Sequence, residues 1–506
     1  MTLDSQSVYN KLCQDARETA LLGSIESLLG WDERTQMPAA ASDYRAEQMT
    51  LLAGLIHERR TSPRIGEWLN QLLGTSLAAD PHSDTGATLR HLKRQYDKKV
   101  KLPQRLVEEL TRTAVYAQQV WVEARANNDF ATFCPWLDKT FALKREQADA
   151  LGYPQCRYDA MLDDYEPEAL TSEVTQVLAD LREQLVPLVA EIRGAARQPN
   201  TRCLREHFPA AAQAAFGQEV AAALGFDFDR GRLDVTAHPF CTSVGPHDCR
   251  ITTRYEEHFF PSAFFGILHE AGHGIYDQGL RVEHYGLPLG EAVSLGIHES
   301  QSRMWENLDG RSRAFWEFFY TRLNARFAPT FAGVSLQDFY FAVNDVRPSL
   351  IRVEADEATY NLHILIRFEL EQAMLNEELK AADLPGAWNE KYRHYLGLTP
   401  PNDAEGVLQD IHWSGGLIGY FATYSLGNLY AAQFFEQADA DLGGLESMFR
   451  GGEFRALHDW LRQNIHEPGQ RYSAAELVQR VTGKPLSHAP LMRHLRGKFG
   501  PLYGLR

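Results

Sequence analysis

The chain has 506 residues, 44% hydrophobic and 23% charged, the balance of a globular protein long enough to bury a sizeable core. Its formal net charge of -16 repels phosphate backbones and anionic bilayers, which argues against nucleic acid or a membrane surface as a partner. No run of about 18 apolar residues exists, and the amino-terminal text MTLDSQSVYNKLCQDARE has no basic start, apolar stretch or cleavage site, so a cytoplasmic location is expected.

In chain order, Leu21/Leu22, Ile25 and Leu28/Leu29 recur at three- and four-residue spacing and predict a helix. Val174, Leu178, Leu181, Leu185, Leu188 and Ile192 form a second stripe, which suits either a coiled-coil-like seam or a helix with one face in the core. The segment CTSVGPHD predicts a turn, and Arg250–Tyr255 after it is the clearest strand. A long helix is expected from about Ser349 to Leu375, with Pro348 at its first turn. Gly443-Gly444 and Gly451-Gly452 read as helix boundaries. The expected fold is mostly α with one small sheet, in a single compact domain without repeats or linkers. The six cysteines, Cys13, Cys134, Cys156, Cys203, Cys241 and Cys249, contain no CxxC pair. In a reducing cytosol a Cys241–Cys249 disulfide is not expected, despite their closeness in sequence.

One segment carries chemistry. FFGILHEAGHGIYDQGL contains His269-Glu270-Ala271-Gly272-His273. On a helix, His269 and His273 lie one turn apart on nearly the same face and can direct two imidazole nitrogens at one ion. Glu270, about 100° round the helix, reaches a water on that ion and can take its proton. Phe264, Phe265, Ile267 and Leu268 give the helix a buried amino-terminal half, and Gly272 and Gly274 leave room for close approach by another element. A third ligand is needed. His284 falls one residue beyond the metzincin position and is rejected. Three glutamates in GEAVSLGIHESQSRMWEN, Glu291, Glu299 and Glu306, remain open on composition alone. Glu299 and Arg303 also stand as i, i+4 ion-pair partners.

Beyond this motif the sequence resembles the thermostable carboxypeptidase family, also called the carboxypeptidase Taq family. The resemblance rests on five ordered motifs besides H-E-x-x-H. They are His238-Pro239-Phe240 (HPF), Asp248-Cys249-Arg250-Ile251-Thr252 (DxRxT), His298-Glu299-Ser300-Gln301 (HES), Ile351-Arg352-Val353-Glu354-Ala355-Asp356 (IRxxAD), and Gly406 to Trp413 (GxxQDxHW). LLGWDERTQMP and NDFATFCPWLDKTFALKREQADALGY read like family text too, so the resemblance covers nearly the whole chain. It implies a zincin-like helical fold of the neurolysin and angiotensin-converting type, with a deep substrate groove. About 1–130 would be a helical portion lining the groove, and about 225–430 the catalytic core. It implies a homodimer, one Zn2+ or Co2+ per subunit, Glu299 as the third ligand, and broad carboxypeptidase action with a carboxyl-terminal proline disfavoured. Oligoendopeptidase chemistry on the same metal, or a non-catalytic peptide-binding scaffold, are the alternatives.

A carboxypeptidase must read a free carboxylate, and a planar guanidinium suits that best. Arg352 is the first candidate, with Asp356 one turn on to hold it, and Arg250 is the second. Arg250, Thr252 and Arg254 would alternate onto one face of the strand, which may present an edge to peptide backbone. The resemblance implies that His238 and Arg250 close off the groove and limit substrate length. For the oxyanion of the tetrahedral intermediate, the donors expected are His412 and Tyr424, with Tyr420 close behind. Asp277 and Glu291 are candidate partners of the ligating histidines.

Overall fold

Helices dominate, and the spacing of their apolar residues explains which faces are buried. Residues 4–505 are described in the computed structural model. The chain divides into two compact units: one holds the residues through Val100, Asn200–Val343 and Phe434–Lys484, and the other Lys101–Pro199, Asn344–Gln433 and the residues from Pro485 on. The stretch grouped above as a catalytic core, about 225–430, is thus shared between the two. Among the described residues no helix is long and apolar enough to cross a membrane.

In the first unit, three short strands form a sheet: β1 (Gly231–Val235), β2 (Cys241–Gly245) and β3 (Asp248–Thr253), in the order β1-β3-β2. β1 runs parallel to β3 and β2 antiparallel to it, with an irregularity between Ser243 and Gly245. The expected strand exists, two residues earlier than its composition suggested. It is the central strand, however, with both edges already paired. β3 therefore has no free ladder for a peptide to join, which corrects the edge-strand expectation. Arg254 lies beyond the strand end and is exposed.

The helix Phe260–Gly279 packs against this sheet and carries H-E-x-x-H. Pro261 sits in its first turn, where a missing N–H is harmless. Its amino-terminal half is fixed by aromatic contacts: Phe260 and Phe264 stack at 5.0 Å between ring centres, Phe264 stacks on Phe216 at 5.4 Å, and Phe208, Trp316 and Phe327 close round them. Such pairs add roughly 0.5–1.5 kcal/mol each beyond the area they bury, so the helix is held rigidly where its histidines begin. Farther on, a Cβ on Gly272 would meet Ser302 Cα at 2.6 Å and Gln301 O at 2.7 Å. Only a glycine lets the helix Leu295–Arg303 pass this close.

The helix Ser5–Thr35 confirms the first periodic stretch, yet Leu21, Ile25 and Leu28 are 57%, 47% and 37% exposed. Its buried side is instead Val8, Leu12, Thr19 and Trp31.

In the second unit, the helix Thr171–Gly194 buries Val174, Leu178, Leu181, Leu185, Leu188 and Ile192, the core-facing reading of that stripe. It packs against the helices Tyr360–Leu375 and Ala489–Tyr503. The helix expected from Ser349 begins only at Tyr360. Asp356 stops it from starting sooner: its carboxylate accepts from the backbone N–H groups of Arg347, Ala358 and Thr359 and from the Thr359 hydroxyl. A short acidic side chain competing for backbone donors favours a turn over a helix. Arg352 accordingly lies in a separate single turn, Arg352–Glu354.

Candidate metal centre

The helix Phe260–Gly279 and the helix Leu295–Arg303 present three side chains to one point. His273 Nε2 lies 3.5 Å from Glu299 Oε2, and His269 Nε2 lies 3.8 Å from the same oxygen. The three donor atoms fall within 4.8 Å of one another. A four-coordinate ion with ligands near 2.0–2.1 Å needs donors a little over about 3 Å apart, so the cluster fits a divalent cation with small adjustment. Of the three glutamates left open by composition, Glu299 is the one that converges with both histidines.

The surroundings fix each donor. Ser294 caps the second helix, its hydroxyl accepting from Ile297 N–H at 3.0 Å. Arg303 Nε donates to Glu299 Oε1 at 2.7 Å, so the i, i+4 pair exists and turns the other oxygen toward the histidines. After Arg303 the helix widens into a π segment, Met304–Asp309, a form of helix frequent at functional sites. This segment carries Glu306, whose Oε2 lies 2.9 Å from His269 Nδ1. A proton on Nδ1 donates there, leaving Nε2 with the lone pair a metal needs. His273 is held differently: His298 stacks on it at 4.4 Å with planes 14° apart, and Nδ1 of His273 is buried without a hydrogen-bond partner.

Electrostatics match this assignment. Burial alone would raise the Glu299 carboxyl, but Arg303 and the two histidines outweigh it and hold the group well below the usual range. Glu306, also buried, is brought down to about 2 by Arg303, His269 and Arg311. Burial, with the neighbouring His298, lowers His273 to about 4, so its imidazole is neutral at pH 7. Glu270 behaves oppositely: burial pushes it up to about 7, with His269 opposing and Glu299 adding to the rise. A carboxyl near neutrality beside a metal-ligand cluster is suited to taking a proton and passing it on.

The other candidates separate into two sets. In the first unit, His238 stands exposed in the loop between β1 and β2. Arg250 ion-pairs with Asp248 at 2.8 Å and lies 4.3 Å over the Trp31 ring. Asp277 does not bond the ligating histidines; it pairs with His298 at 3.0 Å and accepts from the Ser243 hydroxyl at 2.7 Å. It therefore supports His273 only through the stacked His298. Glu291 is exposed. Glu306 fills the role expected of those two acids. Its signal was the seven-residue spacing from Glu299, two turns along one face.

In the second unit, Arg352 is held by Asp410, not Asp356. Its Nε and Nη2 donate to Asp410 Oδ1 at 3.0 and 2.8 Å, and Nη1 donates to the Tyr360 hydroxyl at 3.0 Å. The i, i+4 pairing fails because residues 355–359 are not helical. Arg367, fully buried, donates to the other Asp410 oxygen at 2.6 Å and to Gln409 at 2.8 Å. The GxxQDxHW motif is thus a clamp on IRxxAD: Gln409 also accepts from Arg352 N–H, and Trp413 Nε1 donates to Glu371 at 2.7 Å. Next to the clamp, His412, Tyr420 and Tyr424 are half-buried with their rings 5.4–6.4 Å apart. Arg352 lies 5.2 Å over the Tyr424 ring. Burial and the two arginines lower His412 to about 4, against the pull of Asp410.

The chain is similar to known proteins along nearly its whole length. A family model described as carboxypeptidase Taq (M32) metallopeptidase matches residues 11–499. Thermostable carboxypeptidase 1 of Thermus thermophilus is 49% identical over 99% of both chains. Carboxypeptidase 1 of Bacillus subtilis is 38% identical over 94% of this chain and 95% of its own. The crystal structure of an M32 carboxypeptidase from Deinococcus radiodurans superposes with a TM-score of 0.95 at 42% identity, covering 98% of this chain and all of that one.

Proposed function

The chain belongs to the carboxypeptidase Taq (M32) metallopeptidase family and is a metal-dependent carboxypeptidase, and we propose that it releases single carboxyl-terminal amino acids of broad type with Glu270 as general base. The convergence of His269, His273 and Glu299, with Glu270 buried alongside, is the observation that carries this reading. These three residues would hold the cation, and a His2Glu donor set suits zinc, with cobalt as a working substitute. A divalent ion bound there would supply Lewis acidity, acidifying a water and polarising the scissile carbonyl.

The protein's own groups do the rest. Glu270 accepts the proton of the attacking water and delivers it to the departing amine nitrogen. His412 and Tyr424, with Tyr420 as the alternative donor, stabilise the oxyanion by hydrogen bonds. Arg352 takes the substrate's terminal carboxylate, so that the cut falls one residue from the end. Charge supports that role: two guanidinium groups, Arg352 and Arg367, share the single carboxylate of Asp410, and a bound carboxylate restores balance. Arg250 and His238 are proposed to limit substrate length. We further propose a homodimer with one metal per subunit, acting in the cytoplasm.

Mass spectrometry of an oligopeptide digest tests the reading. The expected result is a ladder of one-residue losses that halts before a carboxyl-terminal proline and disappears with a chelator. Internal fragments would point to an endopeptidase, and an untouched peptide with metal-loaded protein would remove the catalytic assignment.

A further inference from the structure

A second group of side chains of the kinds that ligate metals lies in the first unit, beside the helix one turn beyond the histidines. Counting from His269 in steps of four gives His273 and then Asp277. Where the first two meet a glutamate, Asp277 meets the sheet. Cys241 on β2 and Cys249 on β3 lie on one face, since Cys249 pairs with Ser243 and side chains two apart on a strand share a face. Their Sγ atoms are 3.7 Å apart, hydrogen-bonded and not joined as a disulfide, and each thiol sulfur and an Asp277 oxygen lie within 4.8 Å of one another.

We propose that Cys241, Cys249 and Asp277 form a second site, separate from the His269/His273/Glu299 centre, for a thiophilic divalent cation such as Zn2+, Co2+ or Cd2+. The sulfur separation is the first argument. An ion bound at about 2.3 Å to two sulfurs at the tetrahedral angle holds them about 3.8 Å apart, so the thiols already stand at the spacing a metal needs. The donor set is the second. Two sulfurs and a carboxylate are a zinc-type combination, and hard cations such as Mg2+ gain little from sulfur. Access is the third. A cavity of about 240 Å3 is lined by Cys249, Asp277 and Ser243, room for an ion to arrive and for a water to serve as fourth ligand. Outer support is the fourth. Asp277 is oriented by the Ser243 hydroxyl on one oxygen and His298 on the other, the kind of partner that fixes a ligating carboxylate. The hydrogen bond with Cys249, together with burial, pushes the Cys241 thiol up, so its proton stays until an ion displaces it. Binding therefore exchanges protons for the ion: two S–H bonds break, two metal–sulfur bonds form, and two protons leave to solvent with no change of oxidation state.

Cobalt titration of reduced, chelator-stripped protein tests this, after confirming that six thiols react. Two equivalents of Co2+ are expected per chain, one of them with the intense near-ultraviolet thiolate-to-cobalt charge-transfer band that imidazole and carboxylate ligands do not give. Cys241→Ser and Cys249→Ser should each abolish the band and one equivalent. Asp277→Asn should weaken that equivalent by about tenfold or more while keeping the band. Glu299→Gln should weaken the other equivalent and leave the band intact, so that failure of this site and failure of the catalytic assignment are told apart. The absence of a band at saturating Co2+ with all six thiols reduced, or its persistence in Cys241→Ser, would overturn the proposal. So would a Cys241–Cys249 disulfide that resists reduction.

Discussion

The metal-ligand cluster of the first unit and the arginine cluster of the second are built from the same ingredients in opposite proportion. Around His269 and His273 stand three carboxylates, Glu270, Glu299 and Glu306, with Arg303 and Arg311 as the cations that touch them. Around Asp410 stand the two guanidinium groups of Arg352 and Arg367, both bonded to its carboxylate. Both are buried, so in both an unmatched charge is costly. The first is richer in carboxylates and the second in guanidinium groups. The proposed function would use the first to hold a cation and the second to hold a substrate's terminal carboxylate.

Removing the base should show the largest effect. Glu270→Gln keeps the shape of the side chain and loses its proton affinity. Turnover should fall about 10^3-fold or more, while bound metal, measured on the purified protein, stays at the wild-type ratio. Substantial remaining turnover would mean that another group takes the proton.

Asp410→Asn breaks the second cluster. It leaves Arg352 and Arg367 buried without their counter-ion, and a loss of about 3–5 kcal/mol of stability is expected. Denaturant unfolding measures it. The sign of the pH dependence follows from the same pair. Although burial opposes it, the two arginines depress the folded Asp410 far below its unfolded value of about 3.9. Its stabilisation is therefore complete above that value and is lost as pH falls below about 4. The variant should lack this part of the acid-induced loss. Equal acid sensitivity in both proteins would show that Asp410 does not carry the charge balance.

How much of this was readable beforehand follows the same division. His269 and His273 are four apart, Glu299 and Arg303 four apart, and Phe264 sits one turn before Leu268; helix periodicity alone connects them. Arg352 and Asp410 are 58 residues apart, and no periodicity links them. The text VEADEATYN looks helical, and only the hydrogen bonds of Asp356 reveal the break that frees Arg352 from its apparent i, i+4 partner. The same limit applies to Leu21, Ile25 and Leu28. Spacing predicts their helix but cannot say which face meets a neighbour. Likewise β-formers mark β3 as a strand, while its place at the centre of the sheet depends on pairing with β1 and β2. Local geometry was legible, and contacts between distant segments were not.

A milder change sharpens the contrast in the first cluster. Glu306→Gln keeps a hydrogen-bond acceptor for His269 Nδ1 but removes its charge. Outer partners of ligating histidines are worth roughly 10–100-fold in metal affinity, so competition with a chelator should show a loss in that range. Because Arg303 and Arg311 also lose a partner, stability of the metal-free protein should fall too. A metal affinity unchanged from wild type would reduce Glu306 to a structural acid.

The smallest change asks whether Arg352 serves only the fold. Tyr360→Phe deletes the hydroxyl that accepts from Arg352 Nη1 and leaves both bonds to Asp410. A hydrogen bond of this kind contributes about 1–2 kcal/mol, so a modest loss of stability is expected in either case. The kinetic result discriminates. If Nη1 faces the substrate's carboxylate, the guanidinium plane becomes less fixed, and KM should rise a few-fold with kcat little changed. Any action on peptides whose terminus is amidated should be the same in the variant and in wild type, because no carboxylate remains to be read. A change in stability with KM unaltered for free-carboxylate peptides would place Arg352 wholly in the clamp. The paired arginines of the second unit would then belong to folding, and the terminus would have to be read by another cation.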